Sequence, residues 1–187
     1  MHFKQSLVTP LLKKPSLNKD TLNSYRPTSN LSLISKITDL IVKSRLNEHL
    51  SSNSLYNPNQ SAYTKYHATE TTLLTLNDHL ITAISHQQVS CLYLLDLSAA
   101  FDTINHSNLL HRLSSWFGIA DSALTRFETY LTSRSFSVLA SGFASPPYQL
   151  SCGVPQGSVL GHTLSNMYTT PLSTHLIPVI KSLPLCR

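Results

Sequence analysis

An α+β fold is what this 187-residue chain predicts, and three observations carry it. Stretches with apolar residues at helical spacing alternate with short extended runs, without the regular strand–helix alternation of a parallel α/β sheet. The first thirty residues hold Pro10, Pro15 and Pro27 among Lys4, Lys13, Lys14, Lys19 and Arg26, and proline at that density favours extended or looped backbone. In the middle, "VSCLYLLDL" (89–97) is a continuous apolar run, the pattern of a strand buried on both faces.

In chain order, "SLVTPLLKK" reads as a short strand ending in two lysines. A helix follows from Ser29 or Asn30 as N-cap, with Leu33, Ile34, Ile37, Leu40, Ile41 and Leu50 on one face. A polar loop, "SSNSLYNPNQSAY", separates it from a second helix. There Leu73, Leu76, Leu80 and Ile84 make a stripe and Thr69 caps. Both stripes read as core packing. After the 89–97 strand, Ser107 caps a helix that runs to Trp116 and stops at Gly118, the residue type that best takes the left-handed C-terminal position. Asp121 caps another through Leu124, Phe127 and Leu131. "SFSVLAS" places Phe136, Val138 and Ala140 on one strand face, and "PPYQLSCG" suggests a second short strand. The turn Pro155-Gln156-Gly157 leads into a last helix bearing Val159, Leu160, Leu164, Met167 and Tyr168. No internal repeat or low-complexity tract interrupts this order.

Composition limits the function classes. Charged residues are 12% of the chain and hydrophobic residues 41%, which opposes disorder driven by charge. Fourteen Lys and Arg against nine Asp and Glu give +5 at pH 7, a balance compatible with nucleic acid and far from a histone-like excess. Cys91, Cys152 and Cys186 are an odd number, lie far apart and show no CxxC spacing. They read as reduced thiols rather than a disulfide framework or a zinc site. No apolar stretch approaches the roughly 20 residues of a membrane span. The N-terminus lacks the apolar core of a signal peptide. The chain is expected to be soluble and intracellular, in cytoplasm or nucleus.

Two features point to chemistry. Asp96 ends the apolar run, and a carboxylate at a buried strand end is costly unless a cation pairs with it. Mg²⁺ suits such a place, because it takes one or two carboxylates and completes its shell with substrate phosphates. Asp102 reads as a turn former or cap. "GVPQGSVLG" is a glycine-punctuated turn at a helix start, where backbone N–H groups receive phosphate and Gln156 can hydrogen-bond a nucleotide. It lacks the Gly-Lys-Ser/Thr ending of a P-loop. Lys13, Lys14 and Arg26 read either as a solvated basic arm or as a triphosphate clamp, Arg26 through its bidentate fork.

The ordered set "LKKPSL…NSYRPTSNLSLISKITDLIVKSRLNEHL", "NPNQSAYTKYHATETTLL", "CLYLLDLSAAFDTINHSNLLHRL" and "CGVPQGSVLG…MYTTPLS" resembles the reverse transcriptase domain of non-LTR, LINE-type retrotransposons. The match runs over about residues 5–176. The resemblance implies a partial right-hand polymerase, with a fingers-like segment 1–88, an incomplete palm 89–176 and a divergent tail 177–187. It also implies an RNA template, a DNA primer and deoxynucleoside triphosphates as partners, with Mg²⁺ as cofactor. By the same resemblance Asp96 is the first metal-binding palm aspartate and Phe101 the ring that excludes a ribose 2′-hydroxyl. Gln156 and Gly157 then contact the incoming nucleotide and template, while Arg26 with Lys13 or Lys14 neutralises the triphosphate.

The family pattern breaks further along. No aromatic-Ala-Asp-Asp hairpin is present and no Asp or Glu follows Glu128. His162 and Ser165 stand where the family leads one to expect a proline and a large apolar residue. The expectation is a reverse transcriptase segment without catalytic activity as an isolated chain. The alternatives are a nucleic-acid-binding remnant and a translation product without a stable fold.

Overall fold

Strand β1 (Gln5–Leu12) and strand β2 (Tyr25–Asn30) form an antiparallel hairpin in which Leu11 faces Arg26 and Pro10 faces Pro27. Pro10 lies past the Gln5–Val8 stretch of β1 that pairs with β4, and Pro27 stands on β2 at the end of the sheet order, so neither removes a donor from a strand's other ladder. The computed structural model describes residues 4–176 and 183–184, apart from Asn59, Lys65, Tyr93, Leu95 and Ser98, with backbone only for 173–176 and 183–184. After the hairpin come helices α1 (Leu33–Ser52) and α2 (Thr69–Ser85), strand β3 (Gln88–Val89), and helices α3 (His106–Ser115) and α4 (Asp121–Leu131). Strands β4 (Ser135–Ala140), β5 (Phe143–Ala144) and β6 (Tyr148–Gln149), helix α5 (Gly161–Leu176) and strand β7 (Leu183–Pro184) complete the order. The α+β class expected from the sequence is the class observed.

The chain forms two compact units. The first comprises residues 1–55 and 99–168; the second comprises 56–98 and 169–187. In the first unit the sheet runs β2-β1-β4-β5, with β6 also on β4. β1 pairs with β4 in parallel, Leu7 opposite Ser137, and β4 pairs antiparallel with β6, Phe136 opposite Tyr148. The core of this unit gathers Leu46 and Leu50 of α1, Ile104, Leu109 and Leu113 around α3, Phe127 and Leu131 of α4, and Leu160, Leu164 and Met167 at the start of α5. Spacings of three and four within α3, α4 and α5 put these side chains on single faces, as their periodicity predicts. Gly118 ends α3 at φ +63°, and Ile119 N–H donates to Leu113 O at 3.0 Å. A Cβ in that conformation is strained, so glycine is favoured there.

Several expectations change. Ser32 caps α1, its hydroxyl accepting from Ser35 N–H at 3.3 Å, and Asn105 caps α3, accepting from Asn108 N–H at 2.9 Å. Thr69 and Asp121 are the first residues inside their helices; Thr71 Oγ1 closes the start of α2 by accepting from Ala68 N–H at 3.0 Å. The α1 stripe is not core in its first half. Leu33, Ile34, Ile37, Leu40 and Ile41 are exposed, and the buried residues of α1 are Ser35, Asp39, Leu46 and Leu50. The buried residues recur at spacings of four and seven and share one face of α1, polar in its first turns and apolar in its last, opposite the exposed apolar residues. In α2, Leu73 and Ile84 are exposed and Leu76 and Leu80 half-buried, so this stripe is not a core face either. On β4 the buried residue is Ser137, between Phe136 and Val138. Phe136 instead lies beside Tyr148 of β6, ring centroids 6.0 Å apart, on a face that stays half-buried.

The largest correction concerns the 89–97 run. Among the described residues of this stretch only Gln88–Val89 is strand, paired antiparallel with Leu183–Pro184 in the second unit. Cys91, Leu92, Leu94, Asp96 and Leu97 are exposed and without regular secondary structure, and Tyr93 and Leu95 lie outside the described residues. An apolar run becomes a doubly buried strand only between two strands and under a covering layer. Among the described residues this run has neither beyond Val89. Most of the 177–187 tail also lies outside the described residues.

Candidate nucleotide pocket

Three segments of the first unit converge on one cavity. β2 contributes Arg26 and Thr28, the turn before α3 contributes Phe101, and the 155–162 segment contributes Pro155, Gln156, Gly157, Ser158, Gly161 and His162. The cavity measures 310 Å³, the lower end of the range for small-molecule sites. Arg26, Phe101, Gln156 and Gly157, singled out separately in the sequence, therefore stand around one space.

Backbone hydrogen bonds hold these segments in register. Ser29 N–H donates to Gln156 O at 2.8 Å, which ties β2 to the Pro155-Gln156-Gly157 turn. Val154 N–H donates to Phe101 O at 2.8 Å and Gly153 N–H to Ile104 O at 2.7 Å, joining the same loop to the turn that carries Phe101. That turn is closed by Asp102 N–H donating to Ala99 O at 2.8 Å. His106 Nε2 donates to Gly153 O at 2.8 Å. Gly153 and Gly157 have φ of +81° and +103°, a region costly for residues with a Cβ. A Cβ on Gly153 would also lie 2.8 Å from the carbonyl oxygens of both Phe101 and Asp102, so the approach of the two loops requires glycine.

Side chains complete the site. Gln156 Nε2 donates to Asp102 Oδ2 at 3.0 Å, fixing the amide and occupying the carboxylate. Phe101 meets the His162 ring edge-on, with centroids 5.3 Å apart and planes at 77°. Burial, then the charge of Lys43, holds the His162 imidazole below its usual pKa of 6.5, so at neutral pH it is an uncharged ring. Arg26 is thus the one formally charged side chain lining this cavity among the described residues. An arginine facing an aromatic pair and a glycine turn suits a ligand with phosphate at one end and a flat or sugar-like apolar body at the other.

The remaining candidates lie elsewhere. Lys13 and Lys14 follow β1 and are exposed. Lys13 Nζ donates to Asn23 O at 2.8 Å and its N–H to Ser24 O at 2.9 Å, so this lysine holds the hairpin loop together. Asp96 belongs to the second unit and is exposed, in a segment without regular structure, rather than at a buried strand end. Among the described residues no group of three or more His, Cys, Asp or Glu side chains is gathered to hold a metal ion. The described part of the chain therefore does not gather a complete two-ion site. Cys91 and Cys152 are free and exposed, and Cys186 lies outside the described residues. No described helix is long and apolar enough to cross a membrane.

Sequence reasoning missed the Asp102–Gln156 bond and the place of His162. Asp102 had offered only a turn signal, and His162 only a departure from the family pattern.

A family profile described as "Reverse transcriptase (RNA-dependent DNA polymerase)" matches residues 12–186. The chain is 28% identical over 162 residues to the "Probable RNA-directed DNA polymerase from transposon BS" of Drosophila melanogaster. It is 27% identical over 165 residues to the "RNA-directed DNA polymerase from mobile element jockey" of the same organism. These alignments cover 87% and 88% of this chain, which spans about 18% of the length of each relative. Among solved structures, apo telomerase from Candida tropicalis, truncated from its C-terminal domain, superposes with a TM-score of 0.64 at 13% identity. That superposition covers 96% of this chain and 40% of that one, and it is a likeness of fold.

Proposed function

The chain belongs to the reverse transcriptase (RNA-dependent DNA polymerase) family, and from that premise we propose that its 310 Å³ pocket receives the incoming deoxynucleoside triphosphate of an RNA-directed DNA polymerase. The observation that carries the reading is the meeting of Arg26, Phe101, Gln156 and Gly157 around that pocket. Arg26 pairs with phosphate oxygens, and Phe101 packs beside the sugar, where a 2′-hydroxyl would clash. Gln156, held by Asp102, presents its amide to the nucleotide and template, and Gly157 lets the backbone approach closely. Lys13 and Lys14 supply a more distant positive field to the triphosphate or template.

The parent element in this reading is a non-LTR, LINE-type mobile element. Residues 1–88 act as fingers, 89–176 as part of the palm and 177–187 as a divergent tail, working on an RNA template and a DNA primer. Mg²⁺, when bound in such enzymes, stabilises the charge that develops on attacking and leaving oxygens. Asp96 would be the carboxylate this chain offers toward holding it, by the family resemblance. No Asp or Glu follows Glu128, so the 187-residue polypeptide alone binds nucleotide without joining it to a primer.

Equilibrium binding of dATP to purified 1–187 tests the pocket. Arg26→Ala removes a charge-assisted contact and should weaken binding roughly 10- to 100-fold. Equal affinity in wild type and variant would remove Arg26 from the site. Primer extension on an RNA template should stay at background with Mg²⁺ or Mn²⁺. Extension abolished by Asp96→Ala would overturn the proposed inactivity.

A further inference from the structure

We propose that His162 positions the Phe101 ring, so that the pocket's discrimination between deoxyribo- and ribonucleotides depends on His162 as well as on Phe101. This rests on the nucleotide-pocket reading and extends it to a residue outside the family pattern. Both rings line the pocket. Phe101 stands on a turn outside regular structure, its carbonyl held by Val154 N–H and the turn around it closed by Asp102 N–H donating to Ala99 O, so the remaining freedom lies in its side chain. His162 stands on the more rigid partner. It is the second residue of α5, between Leu160 and Leu164, which are 1% and 0% exposed. Gly161 N–H donates to the Ser158 hydroxyl at 3.0 Å directly before it. The edge-to-face contact of the two rings, at 77° between planes, is a favoured arrangement of two π-systems, and it holds the phenyl ring in one orientation.

The charge state agrees with this division of work. Burial and Lys43 keep the imidazole neutral at pH 7, which leaves phosphate pairing to Arg26 and gives His162 a packing task. Because a benzene ring can make the same edge-to-face contact, the role needs an aromatic ring and not a titrating nitrogen.

The test is equilibrium binding of dATP and ATP to purified 1–187, in wild type, His162→Ala, His162→Phe, Phe101→Ala and the Phe101→Ala/His162→Ala double variant. Thermal melts establish that each variant is folded. Wild type should prefer dATP. His162→Ala should reduce the dATP/ATP affinity ratio about 2- to 10-fold, the scale of one aromatic pair. His162→Phe should keep the ratio, and the double variant should lose no more than Phe101→Ala alone. A wild type that binds neither nucleotide defeats the pocket reading itself. A wild type that binds dATP and ATP equally, or a ratio unmoved by His162→Ala, defeats this inference and leaves the pocket standing. So does a His162→Phe ratio as low as that of His162→Ala.

Discussion

Replacing Gly153 with alanine should destabilise the first unit by about 2–5 kcal/mol. Two causes add. The backbone there has φ +81°, and a non-glycine residue in the left-handed region costs roughly 1–2 kcal/mol. The new Cβ would lie 2.8 Å from Phe101 O and Asp102 O and 2.9 Å from Asp102 Cα. All three are backbone atoms, so relief requires moving the turn that carries Phe101, and overpacking of this kind typically costs about 1–3 kcal/mol. Gly142→Ala is the control. Its φ of +83° is similar, but its Cβ meets no described atom within 4 Å, so only the strain of roughly 1–2 kcal/mol remains. Urea unfolding followed by far-UV circular dichroism and by the single tryptophan, Trp116, reads both variants. Gly153→Ala should also weaken dATP binding in native conditions, because the Gly153 N–H to Ile104 O and Val154 N–H to Phe101 O bonds hold the two loops together at this point. If Gly153→Ala were no more destabilising than Gly142→Ala, the close approach of the two loops would be refuted.

Three further outcomes follow from other parts of the molecule. Leu164 is completely buried among α3, α4 and α5 core residues, and Leu164→Ala should cost about 2–5 kcal/mol in the same urea assay; a loss below half a kilocalorie would contradict that packing. Asp39 is buried and its Oδ2 lacks a hydrogen-bond partner among the described residues, while desolvation, only partly offset by Arg134 and Arg126, raises its pKa above 3.8. Its folded form takes up a proton more readily than its unfolded form, so this group's contribution to stability is full below pH 3.8 and is lost as pH rises through the raised value. Asp39→Asn should remove that dependence without destabilising the protein at pH 7, as melts of both proteins from pH 3.5 to 7 would reveal; a large loss at pH 7 would mean the ionised carboxylate is needed. Lys13→Ala should loosen the 13–24 loop, where Lys13 Nζ holds Asn23 O, and alter dATP affinity less than Arg26→Ala does; the reverse order would move the phosphate site to the hairpin tip.

The sequence exposed local features well and their partners poorly. The turn at Pro155-Gln156-Gly157, the burial of Leu160 and Leu164 after it, and the stop at Gly118 all follow from short-range chemistry and all appear. The described residues of the 89–97 run are not strand past Val89, because strand formation needs neighbours that a run cannot supply for itself. The α1 stripe misled for a related reason. Periodicity reports that Ile34, Ile37 and Ile41 share a face, but which face turns inward is decided by what packs against it, here the side carrying Ser35 and Asp39. Arg26 and Gln156 were legible as residue types suited to a nucleotide. That they share one cavity depends on the Ser29–Gln156 backbone bond across 127 positions of chain, and the Asp102–Gln156 bond has no sequence pattern of its own.

Photolabelling of purified 1–187 with 8-azido-dATP, followed by mapping of the modified peptides, tests the nucleotide pocket most directly. The label should enter peptides containing Arg26, Phe101 or residues 155–162, with unlabelled dATP competing and Arg26→Ala reducing the yield. Competed labelling concentrated elsewhere, on the 13–24 loop or on α1, would contradict the assignment of this cavity as the nucleotide site.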